Sequence, residues 1–430
     1  MNALWGKNKF SCYLEEGSLS FICAIISVII LPIHVYFIAP FMILWVICWI
    51  LENYQRFNKI FKIRRSYLLL FILVLAFYFW QAIGVFYSDD TQMAFLNLFG
   101  RLSFILFPIV LIYPGIQIKK RIGFLTSLFA LSTFFYMIFC FGYALYKSLN
   151  IVEGTLVFDA IPQDYIWLNY FYGSDLTLTQ HPSYISMYVL LSSVISLEAF
   201  FNYSQRFWIR LGWLVIGIIL LLSLYFLSSR AAILIGIIML SLYFGLKLNE
   251  IGKKKLTWLM VIFLVIAVSY VTFKLADQSQ NSIKSLFFSQ QANNKLTRDP
   301  RSVIWKSALD VSGKNLLVGV GIGDVRNELA REYYKRGEVN MAKERLNAHN
   351  QFLEILLESG IIGLGIFLLI ITIMFYIAFV DKNIIYGVFL VTIILFFLFE
   401  SILYRLAGVT FFSLFSFLLI HNNEENKLKE

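Results

Sequence analysis

"HNQFLEILLESGIIGLGIFLLIITIMFYIAFV", residues 349–380, opens on His349, one of four histidines in the chain. It runs through Gly360, Gly363 and Gly365 into an apolar stretch that ends at Val380. Apolar runs of roughly 18 or more residues are the signal of a helix that crosses a bilayer. Such runs recur along all 430 residues. The composition agrees, with 59% hydrophobic and 14% charged residues, against about 45–50% and about 25% in a soluble domain. The sequence therefore predicts an all-α polytopic membrane protein, with 1–430 forming a single membrane domain.

Twelve spans are expected, at approximately 18–32, 35–52, 67–87, 92–113, 123–147, 182–202, 209–228, 230–247, 256–275, 351–379, 384–401 and 405–420. The last two are short, so the Glu400–Arg405 turn lies in the membrane plane or the spans tilt. Arg56, Lys59, Lys62, Arg64 and Arg65 follow the second span, and Lys119, Lys120 and Arg121 the fourth. Arg206 and Arg210 follow the sixth, and Lys253, Lys254 and Lys255 the eighth. Basic loops stay in the cytoplasm, which places both termini there and assigns the net charge of +10 to these loops rather than to nucleic-acid binding. The opposite loops carry Asp89, Asp90, Glu153, Asp159, Asp164 and Asp175. The first apolar run, from about Leu19, lacks a small-residue cleavage site, so no cleavable signal peptide is expected. Cys12, Cys23, Cys48 and Cys140 are isolated and read as packing residues, not as disulfides or zinc ligands.

Two outer loops are long: 148–181, aromatic and acidic, and 276–350, between the ninth and tenth spans. In the second, Asp299-Pro300 predicts a helix start and Gly313 its end. Asp324 is expected to cap another helix that ends near Gly337. With Val303, Ile304, Trp305 and Leu309 as apolar positions, the loop reads as an ordered, partly helical lid on the bundle. No internal repeat of transporter type is visible.

Several chemistries are excluded. No G-x-x-x-x-G-K-[ST] and no H-E-x-x-H occurs, and Gly319-x-Gly321-x-Gly323 lacks both the spacing and the strand–helix–strand context of a dinucleotide site. Those glycines read as a tight turn. No outward carboxylate cluster suggests a held divalent metal, with only Asp164 and Asp175 left open. His34 and His421 receive no role.

The remaining ionisable residues carry two readings each. Arg230, in "LYFLSSRAAILIG", joins two spans with almost no loop; it is an interface anchor or a functional group. Arg301, near Arg298 and Lys306, offers a fork of donors suited to phosphate, or belongs to a solvated basic face. His181, in "LTQHPSYISMY", is a boundary histidine or a catalytic one. His349 stands at a helix N-terminus, where the dipole disfavours imidazolium and favours a nearby anion. A neutral imidazole suits a general base; a capping histidine fits the residues equally well.

Taken together these stretches resemble the bacterial O-antigen ligase/polymerase superfamily, and within it the O-antigen ligase-like members. His349-Asn350, nine residues, then Gly360-Ile361-Ile362-Gly363 follows the pattern H-[NSQ]-x9-G-x-x-G. Arg230 to Leu234 matches R-x3-L inside "SSRAA", and "RSVIWKSALDVSGKNLLVGVGIGD" resembles R-x3-W-x2-A followed by G-x-G-x-G. "GVFYSDD", "GRLSFILFPIVL" and "FESILYRLAGVTFF" also fit.

The resemblance implies a metal-independent, GT-C-like membrane glycosyltransferase without cofactors, which takes a glycan from undecaprenyl diphosphate. It assigns His349 as the base for the acceptor hydroxyl, and Arg230 and Arg301 as diphosphate-binding residues. Arg405 is a looser match, and Arg101, His181 and Asn350 are further candidates. Inversion by direct displacement is expected, with no enzyme nucleophile. The expected activity is transfer to lipid A-core on the periplasmic side of the inner membrane. The alternative is a polymerase extending the lipid-linked glycan. Transfer to a protein hydroxyl is a third outcome, and a lipid-linked sugar flippase or other transporter ranks well below, because the distinctive charges cluster outside.

Overall fold

The computed structural model describes residues 18–53, 64–114, 116–152, 155–161, 168–201, 206–250, 252, 255–256, 259 and 300–422. The expected ninth span, apart from 256 and 259, lies outside these residues, as do Cys12, Glu153, Asp164, Arg298 and Asp299. The described helices of six or more residues in chain order are α1 (Ser18–Ile33), α2 (Ile38–Asn53), α3 (Arg65–Ile83), α4 (Thr91–Gly100), α5 (Ser103–Leu111), α6 (Ile122–Ser148), α7 (Pro182–Phe201), α8 (Phe207–Phe226) and α9 (Arg230–Glu250). After them come α10 (Pro300–Ser312), α11 (Val325–Lys335), α12 (Val339–Glu344), α13 (Gln351–Val380), α14 (Ile384–Phe399) and α15 (Leu406–Leu418). Among the described residues eight helical stretches are long and apolar enough to cross a bilayer, and three shorter apolar helices accompany them. These eleven correspond to the expected spans other than the ninth. The fold is all-α, and among the described residues one antiparallel hairpin accompanies the helices, β1 (Leu149–Val152) with β2 (Thr155–Phe158), in register Leu149 to Phe158.

Two helices form the centre. α7 is buried from Tyr184 to Leu197, and α15 from Ala407 to Leu418. Aromatic side chains lock them to α6 and to each other: Phe129 of α6 meets Phe415 at a ring separation of 4.5 Å, and Tyr188 meets Phe411 at 4.8 Å, both tilted. Tilted and edge-on rings are the favoured aromatic geometries. Small residues allow close approach where lipid supplies no hydrophobic drive between helices. A Cβ on Gly217 of α8 would sit 3.4 Å from Ser196, and one on Gly236 of α9 would sit 3.0 Å from Leu190. That last contact, with Tyr243 and Lys247 of α9 both bonded to Glu198 further along α7, shows the two helices run parallel and places their starts, and so His181 and Arg230, at one end of the bundle. Cys23, Cys48 and Cys140 are buried free thiols.

Two expected spans are broken, for identifiable reasons. The stretch read as 92–113 is two helices, interrupted at Arg101 and Leu102. Arg101 turns inward there and forms a two-point ion pair with Glu358 of α13, at 2.7 and 2.5 Å, with both groups almost fully buried. A buried charge persists only when it is paired and hydrogen-bonded. The stretch read as 351–379 breaks at Gly360, whose φ of 65° and ψ of −167° are non-helical. Residues 361–380 beyond the break still suffice to cross a bilayer, since about 20 residues span about 30 Å.

The Gly319–Gly323 run explains how that break is tolerated. Residues 316–321 run alongside it. Ile361 N and Ile362 N donate to the carbonyls of Leu316 and Leu317, and Val320 N and Gly321 N donate to those of Leu357 and Glu358. Trp80 Nε1 of α3 takes the Ser359 carbonyl at 2.9 Å. Backbone groups freed by a helix break must be satisfied by such neighbours. A Cβ at Gly319 or Gly360 would run into the opposing backbone, and one at Gly323 would meet the Asp90 carbonyl. The glycines thus serve close backbone approach as well as the tight turn expected from sequence: Gly319 and Gly321 take φ of 76° and 95°, and Asp324 N donates to the Gly321 carbonyl.

Segment 300–348 packs on the first turns of α13 around Ile304, Ala308, Val311, Val325, Leu329, Tyr333, Ala348 and Leu357. Two expectations are corrected here. Leu309 is exposed, because the buried stripe of α10 follows Ile304, Ala308 and Val311, at helical spacing on another face. Asp324 occupies the N-cap position of α11 but makes no cap with its side chain. Its carboxylate instead accepts the amides of Asp89 and Asp90, at 2.7 and 2.9 Å, ahead of α4.

Candidate active site

His349 and Asn350 are built by the start of α13. Asn350 is the N-cap: its Oδ1 accepts the amides of Phe352 and Leu353 at 3.0 and 3.2 Å, satisfying donors that every helix N-terminus leaves open. Its Nδ2 reaches the Leu398 carbonyl at 3.4 Å. The preceding His349 has φ 45°, a left-handed conformation that His adopts more readily than most residues. Asn347 Oδ1 accepts the His349 amide at 3.2 Å, and Glu354 Oε2 accepts the Ala348 amide at 3.0 Å. The turn carrying the imidazole is therefore fixed on both sides.

Facing it is the segment Phe399 to Arg405, between α14 and α15. Glu400 Oε2 lies 3.2 Å from His349 Nδ1, with the two side chains 31% and 32% exposed. An ionised carboxylate accepts only, so opposite one Nδ1 is the donor, and in a neutral ring Nε2 is then the acceptor. Ser401 Oγ donates to Glu354 Oε2 at 3.1 Å, and Leu403 N donates to Gln351 Oε1 at 2.6 Å. The first turn of α13 thus grips both the histidine loop and the glutamate loop.

Rings of the same segment receive two guanidinium groups. Arg301, at the start of α10, lies with its guanidinium carbon 5.5 Å from the centre of Phe399. Arg326, at the start of α11, lies 4.4 Å from the centre of Tyr404. Arg405 follows directly and is exposed. His181 completes the group: Glu400, Arg405 and His349 all lie within its electrostatic reach. Its Nδ1 accepts the Ser183 amide at 3.4 Å, capping α7. His181 is exposed to solvent on one side; the protein around the rest of the ring lowers its pKa below the usual 6.5, Arg405 and His349 lower it further, and Glu400 opposes them. Loss of solvation disfavours the charged imidazole.

The sequence-derived candidates divide accordingly. His349, Arg301, Arg405 and His181 converge on the Phe399–Arg405 segment. Arg230 is exposed at the start of α9 at the same end of the bundle, and no hydrogen bond or ion pair ties it to a described residue. Arg101 is committed to Glu358 in the interior, and Asn350 to capping. Asp175 accepts the Asn169 amide at 3.0 Å, and among the described residues no cluster suited to a metal ion occurs.

Glu400, Glu354 and Arg326 were not singled out from the sequence. Glu400 alone had a visible signal, an acid closing an apolar run inside a recognised motif. The other two are set by contacts between segments far apart in the chain.

Residues 215–368 match the family described as O-antigen ligase, Wzy_C. No curated protein matches the chain. The matched stretch holds Arg230, Arg301 and His349, together with the Gly319–Gly323 run and the Gly360 break. Over that stretch the chain is similar to the O-antigen ligases, which supports its place in the O-antigen ligase-like superfamily.

Proposed function

We propose that the protein transfers a glycan from undecaprenyl diphosphate to an acceptor hydroxyl, of lipid A-core, at the periplasmic face of the bacterial inner membrane. The observation that carries this reading is the His349–Glu400 pair, 3.2 Å apart, set among Arg301 and Arg405. Glu400 holds the ring so that Nε2 takes the acceptor proton, and its negative charge stabilises the imidazolium that forms. The acceptor oxygen attacks the anomeric carbon as the bond from that carbon to the diphosphate oxygen breaks. Charge builds on the departing diphosphate, where fixed guanidinium groups stabilise it best in a partly dry site. Arg301, Arg405 and Arg230 supply that charge. The base and the cations lie at one end of an apolar bundle, which suits a donor whose lipid stays in the membrane.

Purified protein incubated with a defined undecaprenyl-diphosphate glycan and candidate acceptors tests the reading by product size. Addition of one block to the acceptor is expected, and its loss in His349→Ala with membrane insertion intact. Full activity of His349→Ala refutes the base assignment. A ladder built on the lipid carrier makes the protein a polymerase instead.

A further inference from the structure

Arg326 is a cation that its surroundings leave unbalanced. It lies in the first turn of α11, where the positive end of the helix dipole disfavours another positive charge. Among the described residues no carboxylate offsets it. Asp324 is directed to the Asp89 and Asp90 amides, Glu328 to Arg331, Glu332 to Arg336 and Lys314, and Glu400 to His349. Its Nε is buried and donates to no described group. What holds the guanidinium is the Tyr404 ring, 4.4 Å away. Stacking on a ring face fixes the plane of the group and leaves its in-plane N–H donors open. Tyr184 of α7 lies within electrostatic reach of Arg326 as well as of Arg405, Tyr404 and Glu400, so this cation faces the same space as the His349 pair.

We propose that Arg326 is a phosphate-binding side chain of the site, brought there by segment 300–348 and held on Tyr404 for a two-point grip on a phosphate. The proposal rests on the glycan-transfer reading above. The phosphate is either the donor's diphosphate or a phosphate on the acceptor; both present the same planar pairs of oxygens. Arg326 and Arg301 are the two arginines that segment 300–348 delivers to the Phe399–Arg405 loop, so this grip also ties docking of that segment to an occupied site.

The test compares wild type with Arg326→Met, which keeps the stem on the Tyr404 ring, and with Arg326→Lys, which keeps the charge but not the fork. Each is checked for monodispersity and for its thermal midpoint in detergent, and transfer is measured with inorganic pyrophosphate as inhibitor. If the donor's diphosphate is the ligand, Arg326→Met raises the donor KM and the pyrophosphate inhibition constant together, by about ten- to a hundredfold, with Arg326→Lys in between. If the acceptor's phosphate is the ligand, pyrophosphate inhibition is unchanged and KM rises only for a phosphorylated acceptor. Unchanged values in all three measurements overturn the proposal. Titration of the purified protein with pyrophosphate separates this from failure of the transfer reading. Binding by wild type that Arg326→Met loses upholds the phosphate site even without transfer, and equal or absent binding in both, with the KM for a phosphorylated acceptor also unchanged, overturns it.

Discussion

Glu400→Gln is the substitution that most directly probes the site. It keeps the shape of the side chain and removes the charge that orients His349. A hydrogen bond to a charged group contributes about 1.5–3 kcal/mol. Both partners here are about a third exposed, and screening by solvent puts the contribution at the low end of that range. Since about 1.4 kcal/mol is a factor of ten in rate, kcat is expected to fall roughly ten- to thirtyfold. That is well short of the roughly 10⁴-fold loss known for a fully buried triad carboxylate. The donor KM is expected to stay put, because in the proposed mechanism Glu400 holds the base and not the diphosphate. Steady-state transfer kinetics with a defined lipid-diphosphate donor give both quantities. In a His349→Gln background, the residual rate should not fall further when Glu400→Gln is added, because the two act as one unit. A wild-type kcat in Glu400→Gln, or independent losses in the double variant, refutes the reasoning.

Three further outcomes follow from the geometry. Gly360→Ala places a side chain in a backbone region that is open essentially to glycine alone and against the Leu317 carbonyl; it should destabilise by roughly 3 kcal/mol or more, read as a lower thermal midpoint in detergent, and an unchanged midpoint counts against the packed break. Arg101→Met leaves Glu358 buried without its partner and should destabilise by about 3–5 kcal/mol, whereas Arg101→Met with Glu358→Leu should recover most of that loss; failure of the pair to recover points to a role for Arg101 beyond the ion pair. His181 has a folded pKa lowered from 6.5, so the folded state binds fewer protons there and loses stability as pH falls from about 6.5 through the lowered value. His181→Asn keeps the cap on α7 and removes the titration, so its thermal midpoint should vary less over that acid window; parallel pH profiles for variant and wild type reject the assignment.

The polytopic all-α fold was legible because a bilayer permits few solutions. A run such as 361–380 satisfies its own backbone only as a helix, and length then settles the rest. The breaks at Arg101 and Gly360 were not legible, although each has a residue to mark it. Arg101 looks like a charge stranded in a span until Glu358, 257 residues away, is set against it. Gly360 looks like a small packing residue until Leu316 to Val320 line the gap. Leu309 was misplaced because several helical faces of α10 are apolar in sequence, and only its neighbours select one.

The site shows the same division. His349-Asn350 and the glycines that follow are local in sequence, so chemistry and spacing could nominate His349, though a cap and a base remained equal on the residues alone. What separates them is the partner each residue finds. Asn350 takes the capping role, and His349 turns to Glu400 on the far side of α14. Sequence by itself determined that this is a membrane helix bundle and which ionisable groups stand at its ends, since hydrophobic length and charge are properties of a single segment. Only the tertiary structure decided that the Phe399–Arg405 loop is where Arg301, Arg326 and His349 meet, and that Arg101 is withdrawn to the interior, because pairing and burial depend on neighbours brought together from opposite parts of the chain.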